Sequence, residues 1–201
     1  IGYLHIDSHL DTAESLAGST QTMASPISRV VEVPGVSPEN VVVYGARGLG
    51  NPPALVRRAT SLGVRVIPMS EIIDRGVDAT IEDALDTIWS NTDVVYVSLD
   101  NDALDPSCAP GTTAPEPGGI TAREILRIAM AVGSRGVAMM DIAELSPNFD
   151  PSAITARLDC HWVVYVLSAY AAAIKAGKVA SPAGRVSKRA AARTQPARRS
   201  R

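Results

Sequence analysis

An apolar, β-branched run that stops abruptly at carboxylates constrains this chain more than any other feature: Asp93-Val94-Val95-Tyr96-Val97-Ser98-Leu99 leads straight into Asp100-Asn101-Asp102. Such a run suits a strand buried on both faces, as in parallel sheets with helices above and below. In an extended chain residues i and i+2 point to the same side, so Asp100 and Asp102 address one place. The same logic holds near the start, where Gly2-Tyr3-Leu4-His5-Ile6 leads into Asp7-Ser8-His9-Leu10-Asp11 and Asp7, His9 and Asp11 alternate. Two such strands ending side by side gather four Asp and one His at the carboxyl edge of a parallel sheet, where open α/β folds bind ligands.

The rest of the chain alternates in the manner this requires. Strands are expected over residues 3–6, 41–44, 64–68, 94–99 and 137–142. Helices fall between them: Asn51-Pro52-Pro53 reads as a cap with proline in the first turn, Thr80 and Asp83 frame the next helix, and Thr121-Ala122-Arg123-Glu124 has capping-box spacing. Residues 154–176 read as a long apolar helix covering the sheet. This order implies an α/β fold of three layers, α/β/α, with a mostly parallel sheet. At 201 residues and 46% hydrophobic, the chain has enough apolar material for one such core and hardly for two.

Several carboxylates cannot share a pocket without raised pKa values or bound cations, and a divalent metal pair is the economical answer. Carboxylates with imidazole suit manganese, iron or nickel better than a structural zinc, which favours thiolates. Cys108 and Cys160 have no zinc-like spacing and form no disulfide framework, which favours a reducing cytoplasm. No apolar run approaches the roughly 20 residues of a membrane-spanning helix.

At this level of detail the motifs resemble those of the ureohydrolases, the arginase and agmatinase family. Asp7-Ser8-His9-Leu10-Asp11 is similar to the family's Asp-Ala-His-x-Asp, and Ser98-Leu99-Asp100-Asn101-Asp102-Ala103-Leu104-Asp105-Pro106 to its Ser-x-Asp-x-Asp-x-x-Asp-Pro. Ala109-Pro110-Gly111-Thr112-Thr113-Ala114-Pro115-Glu116-Pro117-Gly118-Gly119 resembles the loop of the agmatinase branch, and Asp141-Ile142-Ala143-Glu144-Leu145-Ser146-Pro147 the later Asp-x-x-Glu-x-x-Pro. The resemblance covers residues 1–177 as a ureohydrolase-like domain, leaving 178–201 as a tail. It implies a binuclear manganese centre, with nickel or iron as alternatives, in which Asp7 and Asp100 bridge the ions. His9 and Asp102 would complete one ion and Asp11 would bind the other. Asp11 would also take a proton from the metal-bridging hydroxide and hand it to the leaving amine, and Glu144 would hold a guanidinium group. The implied reaction splits a small guanidino compound into urea and an amine. His5, one strand period before Asp7, would orient a ligand. Family members commonly assemble as trimers or hexamers, so a homo-oligomer is implied.

Three features depart from that pattern. A Gly-Gly-Asp-His segment that supplies a further metal-binding His in the family has no counterpart upstream of Asp7, and the chain opens on Ile1, so it reads as N-terminally incomplete. In Thr22-Met23-Ala24-Ser25-Pro26, Met23 stands where relatives place a His, and a thioether cannot shuttle protons. The tail carries eight basic residues and no acidic ones, leaving 11 basic against 21 acidic residues before it. It reads as a disordered, solvated segment, with nucleic-acid contact the lesser reading.

Weaker candidates have structural explanations. Asp105 before Pro106 and Asp150 before Pro151 read as turn or cap residues, and Asp141 as an anchor for the turn before Glu144. His161, beside Cys160 and Trp162, reads as a packed histidine. Arg47 could buttress the site or an interface, and the sequence does not decide. Beside the hydrolase stand two other readings: a metal-binding relative without catalysis, and a metal-nucleotide site built on Asp100-x-Asp102, which no phosphate-cradling loop supports.

Overall fold

The computed structural model describes residues 1–179. The tail read over 178–201 falls outside the described residues from 180 onward. Five strands, β1 (Gly2–Ile6), β2 (Val41–Ala46), β3 (Arg65–Pro68), β4 (Val95–Asp100) and β5 (Met139–Ala143), form one sheet in the order β3-β2-β1-β4-β5. Every pairing is parallel. Strands β2 and β3 are laid down on one side of β1, and β4 and β5 on the other. The order therefore reverses between β1 and β4, the position where open α/β sheets leave a crevice at their carboxyl ends.

Alternation along the strands divides the core in two. Leu4, Ile6, Val42, Tyr44, Val97 and Leu99 face α3 (Met69–Arg75), α4 (Val77–Trp89) and α5 (Ala122–Arg135), and Trp162 and Val166 of α6 (Ile154–Lys175) join that larger cluster. Tyr3, Val41 and Val43 face the other way, with Leu10, Ile27, Ala59 and Val64, beneath α1 (Pro26–Val30) and α2 (Pro53–Leu62). This is the three-layer arrangement expected, with a sheet buried between helices.

The local signals succeed where a side chain is free to cap and fail where tertiary contacts claim it. Thr121 and Glu124 form the anticipated capping box at the start of α5. Asn51 caps nothing: its side chain spans Leu10, Ser8 and Arg47 backbone atoms, and α2 opens on Pro52 and Pro53 alone. Thr80 lies inside α4 rather than at its start, its hydroxyl turned inward to the Tyr44 hydroxyl at 2.8 Å. The preceding helix α3 has no side-chain cap, so nothing local announces it. The long helix α6 packs chiefly on α5 rather than on the sheet. Gly133 permits that approach, since a Cβ there would lie 2.3 Å from the Val166 carbonyl oxygen. His161 is exposed, not packed, with Nδ1 2.7 Å from the Arg157 carbonyl. No helix among the described residues is long and apolar enough to cross a membrane.

Two substitutions separate core from cap. Leu85→Ala, at a side chain with 0% exposure, should cost about 2–5 kcal/mol. Thr121→Ala should cost about 1 kcal/mol. Urea denaturation followed by circular dichroism checks both, and equal costs would contradict this packing.

Candidate metal centre

Register brings the two acidic segments together. Ile6 pairs with Tyr44 on one side and Leu99 on the other, so β1 and β4 end level. Beyond the pairing, the Asp7 amide still donates to the Tyr44 carbonyl at 3.0 Å and the Arg47 amide to the Ser8 carbonyl at 2.9 Å. Asp7, Asp100 and Asp102 are all buried.

Two groups of ligand-type atoms result, His5 with Asp7 and Asp11, and Asp7 with His9 and Asp102, each within 4.8 Å. In the first, His5 Nε2 lies 2.8 Å from Asp7 Oδ2 and 3.6 Å from Asp11 Oδ2. In the second, His9 Nδ1 lies 2.9 Å from Asp102 Oδ2 and 3.5 Å from Asp7 Oδ1. Asp102 Oδ1 accepts from the Ser8 amide at 3.1 Å and the Ser8 hydroxyl at 2.7 Å. The His9 amide donates to Asp7 Oδ1 at 2.5 Å. Asp100 stands beside both groups rather than in either, with Oδ1 accepting from the Asp102 amide at 2.9 Å. All five residues expected as ligands are thus at one edge, and His5 joins them.

Burial and charge act against each other here. Burial, followed by the neighbouring Asp7 and Asp102 carboxylates, pushes Asp100 up to about 8. Burial also raises Asp11 and Asp102, partly opposed by the neighbouring His5 and His9 imidazoles respectively. Asp7 is desolvated as well, yet the His5 imidazole beside it holds its carboxyl well below the usual range. Hydrogen bonds to Asp102 and then Asp7 push His9 up to about 10. Burial opposes charge on His5, but Asp7, Tyr3 and Asp11 together hold its pKa well above the ordinary value. A pocket with carboxylates pushed up and imidazoles holding protons has the electrostatics of a cation site, and its oxygen and imidazole donors suit manganese.

Two of the expected functional residues have left-handed backbones, Asp11 at φ 47° and Glu144 at φ 55°. Non-glycine residues seldom adopt that conformation without support from their surroundings. The Asp11 carbonyl accepts from the Ile27 amide at 3.0 Å, which ties this bend to α1. Ala143 pairs with Asp100, so Glu144 leaves β5 just past the acidic edge. The Thr113 hydroxyl donates to Glu144 Oε2 at 2.6 Å, joining Glu144 to the loop over 109–119.

Arg47 resolves as a buttress. Its guanidinium donates to the carbonyls of Asp102, Ala103, Leu104, Glu116 and Pro117, binding the Asp102 turn to the 109–119 loop. The Glu116 carboxylate returns to the Leu49 and Gly50 amides. Gly50 packs against the His9 ring so closely that a Cβ would come within 2.3 Å of Cδ2. Asp105 accepts from the Ser107, Gly118 and Gly119 amides, and Asp150 from the Thr155 amide, as their structural reading required. Asp141 differs from expectation: on β5 it accepts from Tyr96 and Ser98 of β4 rather than anchoring a turn. Met23 is 72% exposed. The contacts of Thr113 and Ser8 escaped sequence reasoning because hydroxyls in loops carry no spacing signal.

The arginase family profile matches residues 1–168. Guanidinopropionase of Pseudomonas aeruginosa is 34% identical over 157 residues, covering 78% of this chain and 49% of the relative. Agmatinase of Chromobacterium violaceum is 33% identical over 161 residues, covering 80% and 47%. The solved structure of proclavaminate amidinohydrolase from Streptomyces clavuligerus superposes with a TM-score of 0.77 at 31% identity, covering 86% of this chain and 57% of that one. The chain spans about half the length of the curated relatives it matches. With profile, relatives and fold in agreement over most of its described length, the chain belongs to the arginase, or ureohydrolase, family.

Proposed function

We propose that this chain carries the metal-binding and guanidinium-binding parts of an amidinohydrolase that splits a small guanidino compound into urea and an amine. The observation that carries the reading is the meeting of Asp7, His9 and Asp11 with Asp100 and Asp102 at the switch point, with Glu144 one strand away. Family relatives named for guanidinopropionate, agmatine and proclavaminate chemistry support the guanidino class without choosing among its members.

In this reading Asp7, His9, Asp11, Asp100 and Asp102 hold two manganese ions. When bound, such a pair supplies a water acidified enough to attack near neutral pH. Glu144, oriented by Thr113, grips the planar guanidinium through charge-assisted hydrogen bonds and turns binding energy into orientation. Water oxygen adds to the guanidinium carbon as its proton passes to Asp11. Cleavage of the C–N bond then releases the amine, which takes that proton. Asp11 suits the task because burial raises its carboxyl above the ordinary value.

The direct test loads the full chain with manganese, removes the excess, and measures ions per chain and urea release from a panel of guanidino compounds. Two ions with urea are expected, ions without urea would favour a non-catalytic metal-binding relative, and neither would overturn the reading. Glu144→Gln should lower kcat/KM about 10- to 100-fold, the worth of a charged hydrogen bond, while leaving the manganese content unchanged. Binding should also release protons, because His9 near 10 and Asp100 near 8 both hold one at pH 7. Titration calorimetry in buffers of different ionisation enthalpy should show at least two protons released at pH 7, with affinity falling as pH drops. A pH-independent affinity between 6 and 9 would contradict this.

A further inference from the structure

We infer that His5 is itself a metal ligand, completing with Asp7 and Asp11 a cation site next to the one formed by Asp7, His9 and Asp102. The inference rests on the metal reading above and adds to it a residue to which spacing alone gives only an orienting role.

His5 is 4% exposed on β1, and its Nε2 is buried without a hydrogen bond of proper geometry, although Asp7 Oδ2 lies 2.8 Å away and Asp11 Oδ2 3.6 Å. The other ring nitrogen is accounted for: Nδ1 lies 3.3 Å from the Tyr3 hydroxyl. With Nδ1–H donating to Tyr3, loss of the Nε2 proton would turn a lone pair toward the two carboxylates, and three acceptors would then meet in the place that proton held. Such an arrangement is costly away from water unless a cation sits between the acceptors. Ligand atoms in cis positions on an octahedral ion with bonds of about 2.1 Å lie about 3 Å apart, and the two observed separations bracket that spacing. A second observation agrees. Asp7 turns Oδ2 toward His5 and Oδ1 toward His9, so each of its oxygens faces one imidazole. Two groups then share Asp7, and each holds one imidazole and one further carboxylate, Asp11 or Asp102.

The chain has 3 histidines, and His161 lies on the exposed face of α6, so nitrogen bound to manganese can be traced. We would prepare the full chain as His161→Ala, with and without His9→Ala and His5→Gln. Bound manganese would be counted, nitrogen coupling read by pulsed electron paramagnetic resonance, and folding followed by circular dichroism without metal. The His9→Ala protein is expected to retain an ion coupled to one imidazole nitrogen, and adding His5→Gln should abolish that coupling. His5→Gln alone should lose one of two ions or bind it more than about 100-fold more weakly, beyond the roughly 10- to 100-fold loss of an orienting partner. Manganese in the His9→Ala protein without nitrogen coupling, no manganese there at all, or wild-type affinity in His5→Gln would each overturn the assignment of His5. If His5→Gln fails to fold, the His9→Ala spectrum decides alone. No manganese bound by the parent chain would instead overturn the metal reading itself, and this inference with it.

Discussion

Parallel pairing of β1 with β4 sets Ile6 level with Leu99, and from that alignment Asp7 and Asp100 leave the sheet as neighbours. A shift of one residue in β1 would turn Leu4 and Ile6 out of the larger core and His5 into it, and one in β4 would do the same to Val97 and Leu99. The hydrophobic pattern that builds the core thus also fixes which carboxylates meet. Burial of Leu4, Ile6, Val97 and Leu99 at 0–1% exposure makes that register expensive to change.

The same alignment creates the main electrostatic liability of the fold. Asp7, Asp100 and Asp102 are withdrawn from water within reach of one another. Backbone amides, the Ser8 hydroxyl and two imidazoles offset part of the repulsion. The strain at Asp11 and Glu144 is held by contacts to α1 and to the 109–119 loop. A stable domain keeps such an arrangement only where the surrounding core can support it.

How much of this was legible in the sequence follows from what kind of order each part has. The strands and the five residues of the acidic edge could be read because period-2 alternation carries them in a few consecutive residues. Thr121 with Glu124 was readable for the same reason, a fixed local spacing. Arg47 could not be assigned, since all its carbonyl partners but Gly45 lie 55–70 positions away along the chain. Asn51 and Thr80 were misread because their polar atoms are taken by distant backbone and by Tyr44. His161 was misplaced because α6, apolar on several sides, contacts mainly α5 and leaves that residue outward. Asp141 was misread because its partners sit across a strand pairing rather than along a turn.

The guanidinium of Arg47 gives the two halves of the site a common anchor. It holds the carbonyl of Asp102, on the acidic edge, and those of Glu116 and Pro117, on the loop that positions Glu144 through Thr113. The 109–119 segment in such a framework cannot be exchanged as an independent module. Any graft that moves Glu116 transmits its displacement through one side chain to the turn carrying Asp102, so divergence within this scaffold is channelled toward changes that leave the Arg47 anchor in place.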